Sequence, residues 1–322
     1  MIIEHNVPLA DKNWFMTGGA ARYWCEPRTE QEFVEALNYA RYNNLDIFVL
    51  GSGANILISD EGFDGLVIRP ALTEITFDQS AAMVTAGAGV HIQQLIDACI
   101  EHQMIGLEEF SGIPGTVGGS VFINIHYFQF LLHQFLHHAR VINRATGKIQ
   151  EVDATWFDFG YDHSKLFDHQ HYVLSATFNV MSVDALKAAY ARGRRDEIIR
   201  HRRQRYPNSN TCGSFFRNFL PEELPFEING KKMPFVAYYL DKIGIKGALR
   251  VGNAVVSYQH ANMLVTQSGA TSHDVIELAR TMQHMVREQF GIVPNVECQL
   301  VGFKKNPLAV NECVSTGDKG SL

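Results

Sequence analysis

The sequence predicts a mixed α+β fold of two to three domains, and three observations support this prediction. The chain has 322 residues, which is more than one ordinary domain needs. Hydrophobic residues make up 46% and charged residues 19%, which excludes a disordered protein. Helical and strand-like patterns follow one another without the regular β-α-β-α alternation of a doubly wound sheet.

The first third of the chain reads as a helix followed by strands. Apolar residues recur at helical spacing over 30–45, and a strand-like run follows at 45–50. The glycine-containing segment 51–55 separates that run from further strand patterns at 56–60 and 65–69. The predicted order is therefore helix, strand, glycine loop, strand.

The middle of the chain alternates short strands with helices. Strands are predicted at 83–86 and 173–178, and one clear helix at 91–103. A long polar helix is predicted over 185–205, and the turn-rich segment 206–210 that follows is a candidate domain boundary.

The last third predicts two helices and further strands. The pattern indicates a helix at 236–242, a strand at 254–257 and a strongly amphipathic helix at 272–290. A strand pair is expected near 297–303, and the chain after Pro307 is expected to fray.

Charge and cysteine content narrow the functional classes. The net charge of −6 argues against a nucleic-acid binder, although 187–205 carries eight basic and two acidic residues. We expect most of these arginines to lie on a solvated helix face, with an anion-binding strip as the alternative. The five scattered cysteines predict neither a disulfide scaffold nor a metal site, and they suit a reducing cytoplasm. No apolar stretch approaches the roughly 20 residues of a membrane helix, and the N-terminus does not read as a signal peptide.

Two glycine-rich segments are candidates for binding a phosphate. Segment 51–55 lies between strands, so it is not a dinucleotide fingerprint, which requires a following helix. Segment 111–124 contains four glycines within eight positions. Glycine lets a ligand approach the backbone, so consecutive N–H groups can point at one anion. A tight turn explains one such segment, whereas two favour a ligand with an extended diphosphate.

Together with further motifs, these segments resemble the FAD-dependent UDP-N-acetylenolpyruvoylglucosamine reductases, in the subtype without an extra tyrosine loop. The resemblance runs from about residue 8 to 303. The motifs that carry it lie at 17–21, 51–57, 111–124, 212–218, 244–248, 256–262 and 296–297.

The resemblance implies an FAD-binding unit of two subdomains, of the vanillyl-alcohol-oxidase type, and a C-terminal α+β domain for the UDP-sugar. The implied bounds are 1–72 and 73–206 for the subdomains, with 291–305 returning to the second, then 207–290 for the substrate domain and 306–322 for a tail. The implied cofactors are FAD and NADPH. The implied FAD-binding residues are Gly51, Ser52, Gly53, Ala54, Asn55, Gly112, Pro114, Gly115, Thr116, Gly118, Gly119, Ser120 and Asn124.

The implied reaction reduces an enolpyruvyl ether to a lactyl ether during peptidoglycan precursor synthesis. The expected setting is a cytoplasmic monomer or weak oligomer that binds a small UDP-sugar and neither nucleic acid nor membrane. Tyr161, Arg217, Asn218 and Lys246 are the implied substrate-binding residues, because cations and amides suit phosphate oxygens.

Two residues are implied to carry the proton chemistry. Ser214 would be the proton donor, and the alternative is a serine that closes a turn. Glu297 lies in a short apolar strand, where burial would raise the pKa of its carboxyl and let it act as an acid. The alternative is a surface residue on an edge strand.

The sequence departs from the family at two places. Asp162 stands where the family has a catalytic arginine, and at 4 Å and a dielectric near 20 one unit charge contributes about 4 kcal/mol. His163 or Lys165 could supply the missing charge. The bulky segment 125–133 replaces a small turn and lies either beside the flavin or in a helical insertion on the surface.

These departures leave two further hypotheses open. One is a flavoenzyme, either an oxidase or a reductase, that acts on a different nucleotide-linked substrate. The other is a non-catalytic FAD-binding homologue. Reversible reduction of bound flavin by NADPH would exclude the latter.

Overall fold

Two large sheets and one small sheet hold most of the strands in a computed structural model that describes residues 1–309. The first sheet has the strand order β1-β2-β5-β3 and belongs to the first unit of the chain. The elements of this unit are β1 (Glu4–Pro8), β2 (Ala20–Cys25), α1 (Glu30–Tyr42), β3 (Ile47–Val49), β4 (Ile56–Ile58) and β5 (Phe63–Ile68). Thr29 caps α1, since its side chain accepts a hydrogen bond from the N–H of Glu32 at 3.1 Å.

The second unit is built on a five-stranded antiparallel sheet of order β12-β11-β13-β7-β6. Its elements are β6 (Ile75–Asp78), β7 (Met83–Gly87), α2 (Ile92–Glu101), β8 (Met104–Ile105), α3 (Val117–Phe122), β9 (His126–Tyr127), β10 (Phe130–Leu131), β11 (Leu136–Asn143), β12 (Ile149–Asp153), β13 (His171–Asn179), β14 (Met181–Ser182) and α4 (Ala185–Arg205). The apolar face of this sheet packs on α2 and α3, in the largest core of the described chain.

The third unit packs two helices on a small antiparallel sheet. Its elements are α5 (Val236–Lys242), β15 (Arg250–Val251), β16 (Ala254–Val256), β17 (Leu264–Thr266), α6 (Ser272–Phe290) and, beyond it, β18 (Gln299–Val301). A capping box of Thr271 and Asp274 starts α6, and Gly291 ends it with a φ of 70°.

The chain after α6 returns to the first unit, so the prediction that 291–305 rejoins the second subdomain is wrong. β18 pairs in parallel with β4. The physical reason lies in β4, which is fully buried but has no place in the four-stranded sheet. Its backbone polar groups need partners, and β18 provides them.

The helices predicted by periodicity are all present, but three parts of the chain differ from prediction. The glycine-rich segment contains the helix α3, although the low helix propensity of glycine disfavours a helix there. The segment 125–133 forms the hairpin β9–β10, so a helical insertion is wrong. In the predicted tail, Leu308 is buried against α6, and residues from 310 onward lie outside the described part.

Candidate active site

A cavity opens where the two glycine-rich segments meet. It contains about 980 Å³ of unfilled space, including the part open to solvent. A Cβ added to Gly51 would lie 2.7 Å from Thr116 Oγ1, so the Thr116 side chain packs directly on the backbone of the first segment. Around them lie apolar side chains. Those lining residues include Phe48, Pro70, Phe122, Ile123, Ile125, Leu166 and Val173.

Several polar groups of the residues that line this cavity have no hydrogen-bond partner. The N–H groups of Ser52, Gly53 and Ala54 donate to no acceptor among residues 1–309. Three buried side-chain atoms at the cavity also have no partner within that range: Asn55 Oδ1, Ser120 Oγ and the Tyr172 hydroxyl. Buried polar groups are normally hydrogen-bonded, so these atoms indicate a polar ligand with several acceptors and donors. Apolar walls beside free N–H groups fit the flat ring and the diphosphate of FAD.

Of the predicted FAD-binding residues, all but Gly112 and Asn124 line the cavity. The Gly112 N–H donates to Gln93 Oε1 at 2.7 Å, which anchors it to α2. Asn124 is fully buried; its Nδ2 donates to the Gly160 carbonyl at 2.9 Å, and its Oδ1 accepts from the His133 N–H.

Sequence reasoning missed several lining residues from distant segments. Pro70, His169, Tyr172 and Gln299 all reach the cavity, although none of them lies near a glycine motif. Tyr172 and Gln299 come from β13 and β18, and only the packing of those strands brings them there. The buried hydroxyl of Tyr172 had no signal in the sequence.

Glu297 lies two positions before Gln299, which lines this cavity. Its N–H donates to the Phe215 carbonyl at 2.9 Å. Burial, and then the charge of Asp162, raise the pKa of the Glu297 carboxyl to about 8. At neutral pH most of this carboxyl is therefore protonated and can donate a proton.

Ser214 is brought next to Glu297 by the same backbone pairing. It precedes Phe215, and Gly213 before it adopts a φ of 82°, which glycine allows at little cost. The Ser214 side chain is half-buried and has no hydrogen-bond partner among the described residues. A hydroxyl without a partner, on the segment that pairs with Glu297 through the backbone, is a candidate for proton delivery.

Asp162 is paired with a residue from the hairpin β9–β10. His126 Nδ1 lies 2.9 Å from Asp162 Oδ1, and His126 Nε2 lies 3.1 Å from the Tyr161 hydroxyl. Asn218 approaches that hydroxyl at 3.5 Å from the third unit. Burial, then Asp162 and Glu297, raise the pKa of Tyr161 to about 12, so its hydroxyl stays protonated.

The two cations expected to compensate for Asp162 are engaged elsewhere. The His163 ring stacks on Phe167 with centroids 4.9 Å apart. Lys165 places its ammonium 4.5 Å from the Trp156 ring centre. His126 in the bulky hairpin is the group that meets Asp162 instead.

The predicted substrate-binding cations differ in availability. Arg217 makes two hydrogen bonds to Glu223, at 2.8 and 2.5 Å, which hold its guanidinium in a fixed orientation. Lys246 is exposed and lies 3.8 Å from Asp241.

Three arginines of the basic strip on α4 have defined partners. Arg195 bonds to Asp97 at 2.5 and 2.6 Å, and Arg194 bonds to Glu109 at 2.9 Å. Arg202 lies between the rings of Tyr127 and Tyr206, 5.5 and 5.2 Å from their centres. The expectation that most of the eight basic residues lie on a solvated face agrees with the structure, in which six are exposed; Arg195 and Arg202 are the two that are not.

The described residues contain neither a disulfide, nor a candidate metal site, nor a membrane-spanning helix. The four cysteines within residues 1–309 are free and buried. In the same range no group of three or more potential ligands could hold a metal ion. Among the described helices, none is long and apolar enough to cross a bilayer.

Comparisons with known proteins match nearly the whole chain. Residues 21–153 match the FAD binding domain family, and 204–301 match the C-terminal domain of UDP-N-acetylenolpyruvoylglucosamine reductase. The reductase of that name from Solibacter usitatus is 32% identical over 313 residues, which cover 94% of this chain and 97% of the relative. The reductase from Lactobacillus johnsonii is 32% identical over 311 residues, with 94% and 96% covered.

A solved structure also matches nearly the whole chain. The UDP-N-acetylenolpyruvylglucosamine reductase from Thermus caldophilus superposes with a TM-score of 0.75 at 27% identity, and it covers 94% of this chain and 99% of its own. These matches confirm the predicted fold class, an FAD-binding unit of mixed helices and strands followed by a C-terminal domain.

Proposed function

The chain belongs to the UDP-N-acetylenolpyruvoylglucosamine reductase family, and we propose that it uses NADPH and FAD to reduce the enolpyruvyl group of that UDP-sugar to the lactyl group of UDP-N-acetylmuramate. This step supplies a peptidoglycan precursor. The observation that carries the proposal is the cavity between the two glycine segments, whose lining residues include N–H groups and polar side-chain atoms without a partner.

The cavity residues would hold FAD through backbone and side chain. Ser52–Ala54 offer N–H groups to a diphosphate, and Asn55, Ser120 and Tyr172 offer the polar side-chain atoms. When bound, FAD supplies the hydride that NADPH delivers to it. The apolar walls from α3 and β13 would shield its ring from water.

The residues on the substrate side would deliver the proton and stabilise the negative charge that develops during the reaction. The hydride adds to one carbon of the enolpyruvyl double bond, and the neighbouring carbon must gain a proton. Ser214 would deliver that proton, and the protonated Glu297 would hydrogen-bond the enol-like carboxylate as negative charge develops on it. Asn218 and Tyr161 would hold the sugar nucleotide between the third and second units.

The proposal is tested by following the flavin. Purified protein should be yellow, NADPH should bleach it without oxygen, and the enolpyruvyl UDP-sugar should restore the colour with formation of the lactyl product. UDP-N-acetylglucosamine, which lacks the double bond, is the control and should restore nothing. A flavin that NADPH reduces but the enolpyruvyl sugar never reoxidises contradicts the proposed substrate.

A second function draws support from Asp162 and the hairpin β9–β10. These departures from the family favour a flavoenzyme for a different nucleotide-linked substrate, and a panel of sugar nucleotides tested for flavin reoxidation discriminates between the two. A protein that binds FAD but resists reduction by NADPH would be a binding homologue.

Further parts of the proposal concern organisation. We infer boundaries near 72, 206 and 290, a cytoplasmic setting, no nucleic-acid or membrane partner, and a monomer or weak oligomer. Light scattering on the FAD-loaded protein tests the last of these.

A further inference from the structure

The two departures from the family meet at one place in the molecule. Asp162 replaces the arginine, and the hairpin β9–β10 replaces a small turn. The hairpin brings His126 within 2.9 Å of the Asp162 carboxylate. The unusual aspartate and the unusual hairpin therefore form one unit rather than two independent changes.

Three hydrogen-bonding side chains make up this unit. His126 Nδ1 faces Asp162 Oδ1, and His126 Nε2 faces the Tyr161 hydroxyl at 3.1 Å. The His126 and Tyr161 rings lie 4.6 Å apart between centroids. The side chains of His126 and Asp162 are 28% and 17% exposed, so water competes only partly for these bonds.

The backbone around the unit holds it in place. Asn124 bonds to the Gly160 carbonyl and accepts from the His133 N–H, which ties both ends of the hairpin to the loop of Asp162. Tyr127 packs under the Arg202 guanidinium, and its hydroxyl lies 3.3 Å from His201 Nδ1. The hairpin is thus anchored to α4 on its other side.

The loop conformation suits an aspartate and not an arginine. Asp162 has a φ of 51°, in the left-handed region that aspartate and asparagine tolerate better than most residues. An arginine at this position would be strained. The side chain that faces Asp162 comes from another segment, the hairpin β9–β10.

The unit lies at the reaction end of the site. Ile125, next to His126, lines the cavity, and so does Gln299, two positions from Glu297. The charge of Asp162 reaches both Tyr161 and Glu297. A substrate held between Asn218 and the cavity would meet His126 and Tyr161 together.

Resting on the proposed function, we propose that His126, oriented by Asp162, replaces the family's arginine and binds the carboxylate of the enolpyruvyl group through its Nε2–H, with the Tyr161 hydroxyl as a second donor. A carboxylate that orients an imidazole through one nitrogen lets the other nitrogen act on a ligand, which here would take the place of the contact with the Tyr161 hydroxyl. Donation from Nε2 while Nδ1–H donates to Asp162 requires the imidazolium form. In this role Asp162 is a positioning residue and His126 is the binding group.

The test compares two ligands that differ only in the carboxylate-bearing group. Binding of the enolpyruvyl UDP-sugar and of UDP-N-acetylglucosamine to the oxidised FAD-loaded protein is measured by calorimetry. In His126→Gln we expect the enolpyruvyl sugar to bind about tenfold more weakly or worse, as for the loss of one charged hydrogen bond. UDP-N-acetylglucosamine should bind within about twofold of wild type, and NADPH should still reduce the flavin.

His163→Gln is the matched control, because His163 lies next to Asp162 in the chain but stacks on Phe167. It should change neither affinity. Asp162→Asn keeps the left-handed backbone and removes the orienting charge, so it should reproduce part of the loss. If His126→Gln fails to fold, Asp162→Asn together with Tyr161→Phe carries the test.

The outcomes separate the two proposals. If the wild-type protein reduces the enolpyruvyl sugar, but His126→Gln and His163→Gln bind that sugar with equal affinity, the role of His126 is overturned. The proposed function would then still stand. Wild-type protein that neither prefers nor reduces the enolpyruvyl sugar overturns the proposed function, and the inference with it. Equal weakening of both ligands in His126→Gln indicates a structural role and also overturns the inference.

Discussion

The two ends of the candidate active site consist of different chemical groups. The cofactor end consists of glycine backbone, small side chains and apolar walls. The reaction end consists of charged and hydroxyl side chains from three separate segments. A binding site made of backbone N–H groups depends on one particular chain conformation. A charged side chain can instead be supplied by a different segment, if that segment reaches the same place.

The largest effect is expected at the reaction end, from Ser214→Ala. Removing the proton donor should lower kcat roughly 100- to 10,000-fold, the range for general acid–base groups. Reduction of the flavin by NADPH should stay within about twofold of wild type. Stopped-flow absorbance separates these two half-reactions. A loss in both would assign Ser214 to the structure of the third unit instead.

At the cofactor end, Gly53→Ala should disturb binding of FAD through the backbone alone. Gly53 has a φ of 66°, and an added Cβ would lie 2.6 Å from Asn13 Cα. Left-handed strain costs about 1–2 kcal/mol before the clash is counted, so FAD affinity should fall roughly tenfold or more. The FAD content of the purified protein and its fluorescence titration measure this.

The matched control is Gly193→Ala in α4, where an added Cβ meets no atom within 4 Å. Alanine in a helix interior should stabilise by about 0.5–1 kcal/mol and leave FAD affinity unchanged. Equal FAD loss in both variants would contradict a backbone cradle at Gly53.

The pH dependence of kcat is expected to show the effect of the Asp162 charge on the pKa of Glu297. Glu297 has a pKa of about 8 because of burial and the charge of Asp162. As a proton-bearing group it is active below that pKa, so kcat should fall as pH rises through about 8. Asp162→Asn removes a negative charge, lowers the pKa of Glu297 and moves this decline to lower pH.

The same shift affects stability. The folded-state pKa of Glu297 lies above its usual value, so its contribution is fully present at low pH and is lost as pH rises through about 8. Glu297→Gln should remove both this loss and the alkaline limb of kcat. An alkaline limb that persists in Glu297→Gln belongs to another group.

The smallest effect is expected from the exposed cation of the third unit. Lys246→Ala should raise the KM for the UDP-sugar by at most about fivefold without changing kcat, as for one exposed charge contact. Lys242→Ala is its control, since Lys242 lies 5.6 Å from the Tyr238 ring centre. Equal KM in the two variants would remove Lys246 from the substrate site.

Much of the fold and of the cofactor end could be predicted from the sequence. Helices such as α1 and α6 follow from 3.6-residue periodicity and caps, which are local properties of the chain. The glycine segments were recognisable because positive φ and close backbone contact both require glycine. Two-residue strands such as β9 and β10 offer no pattern long enough to detect.

The sequence by itself determined the α+β class and the two glycine-rich segments, since both depend on residue types at local spacings. Only the tertiary structure decided that β18 pairs with β4, that Tyr172 reaches the cavity, and that His126 meets Asp162. These are contacts between segments that lie far apart in the chain. A sequence pattern states what a segment can form, and packing selects its partner, because every buried polar group must find one.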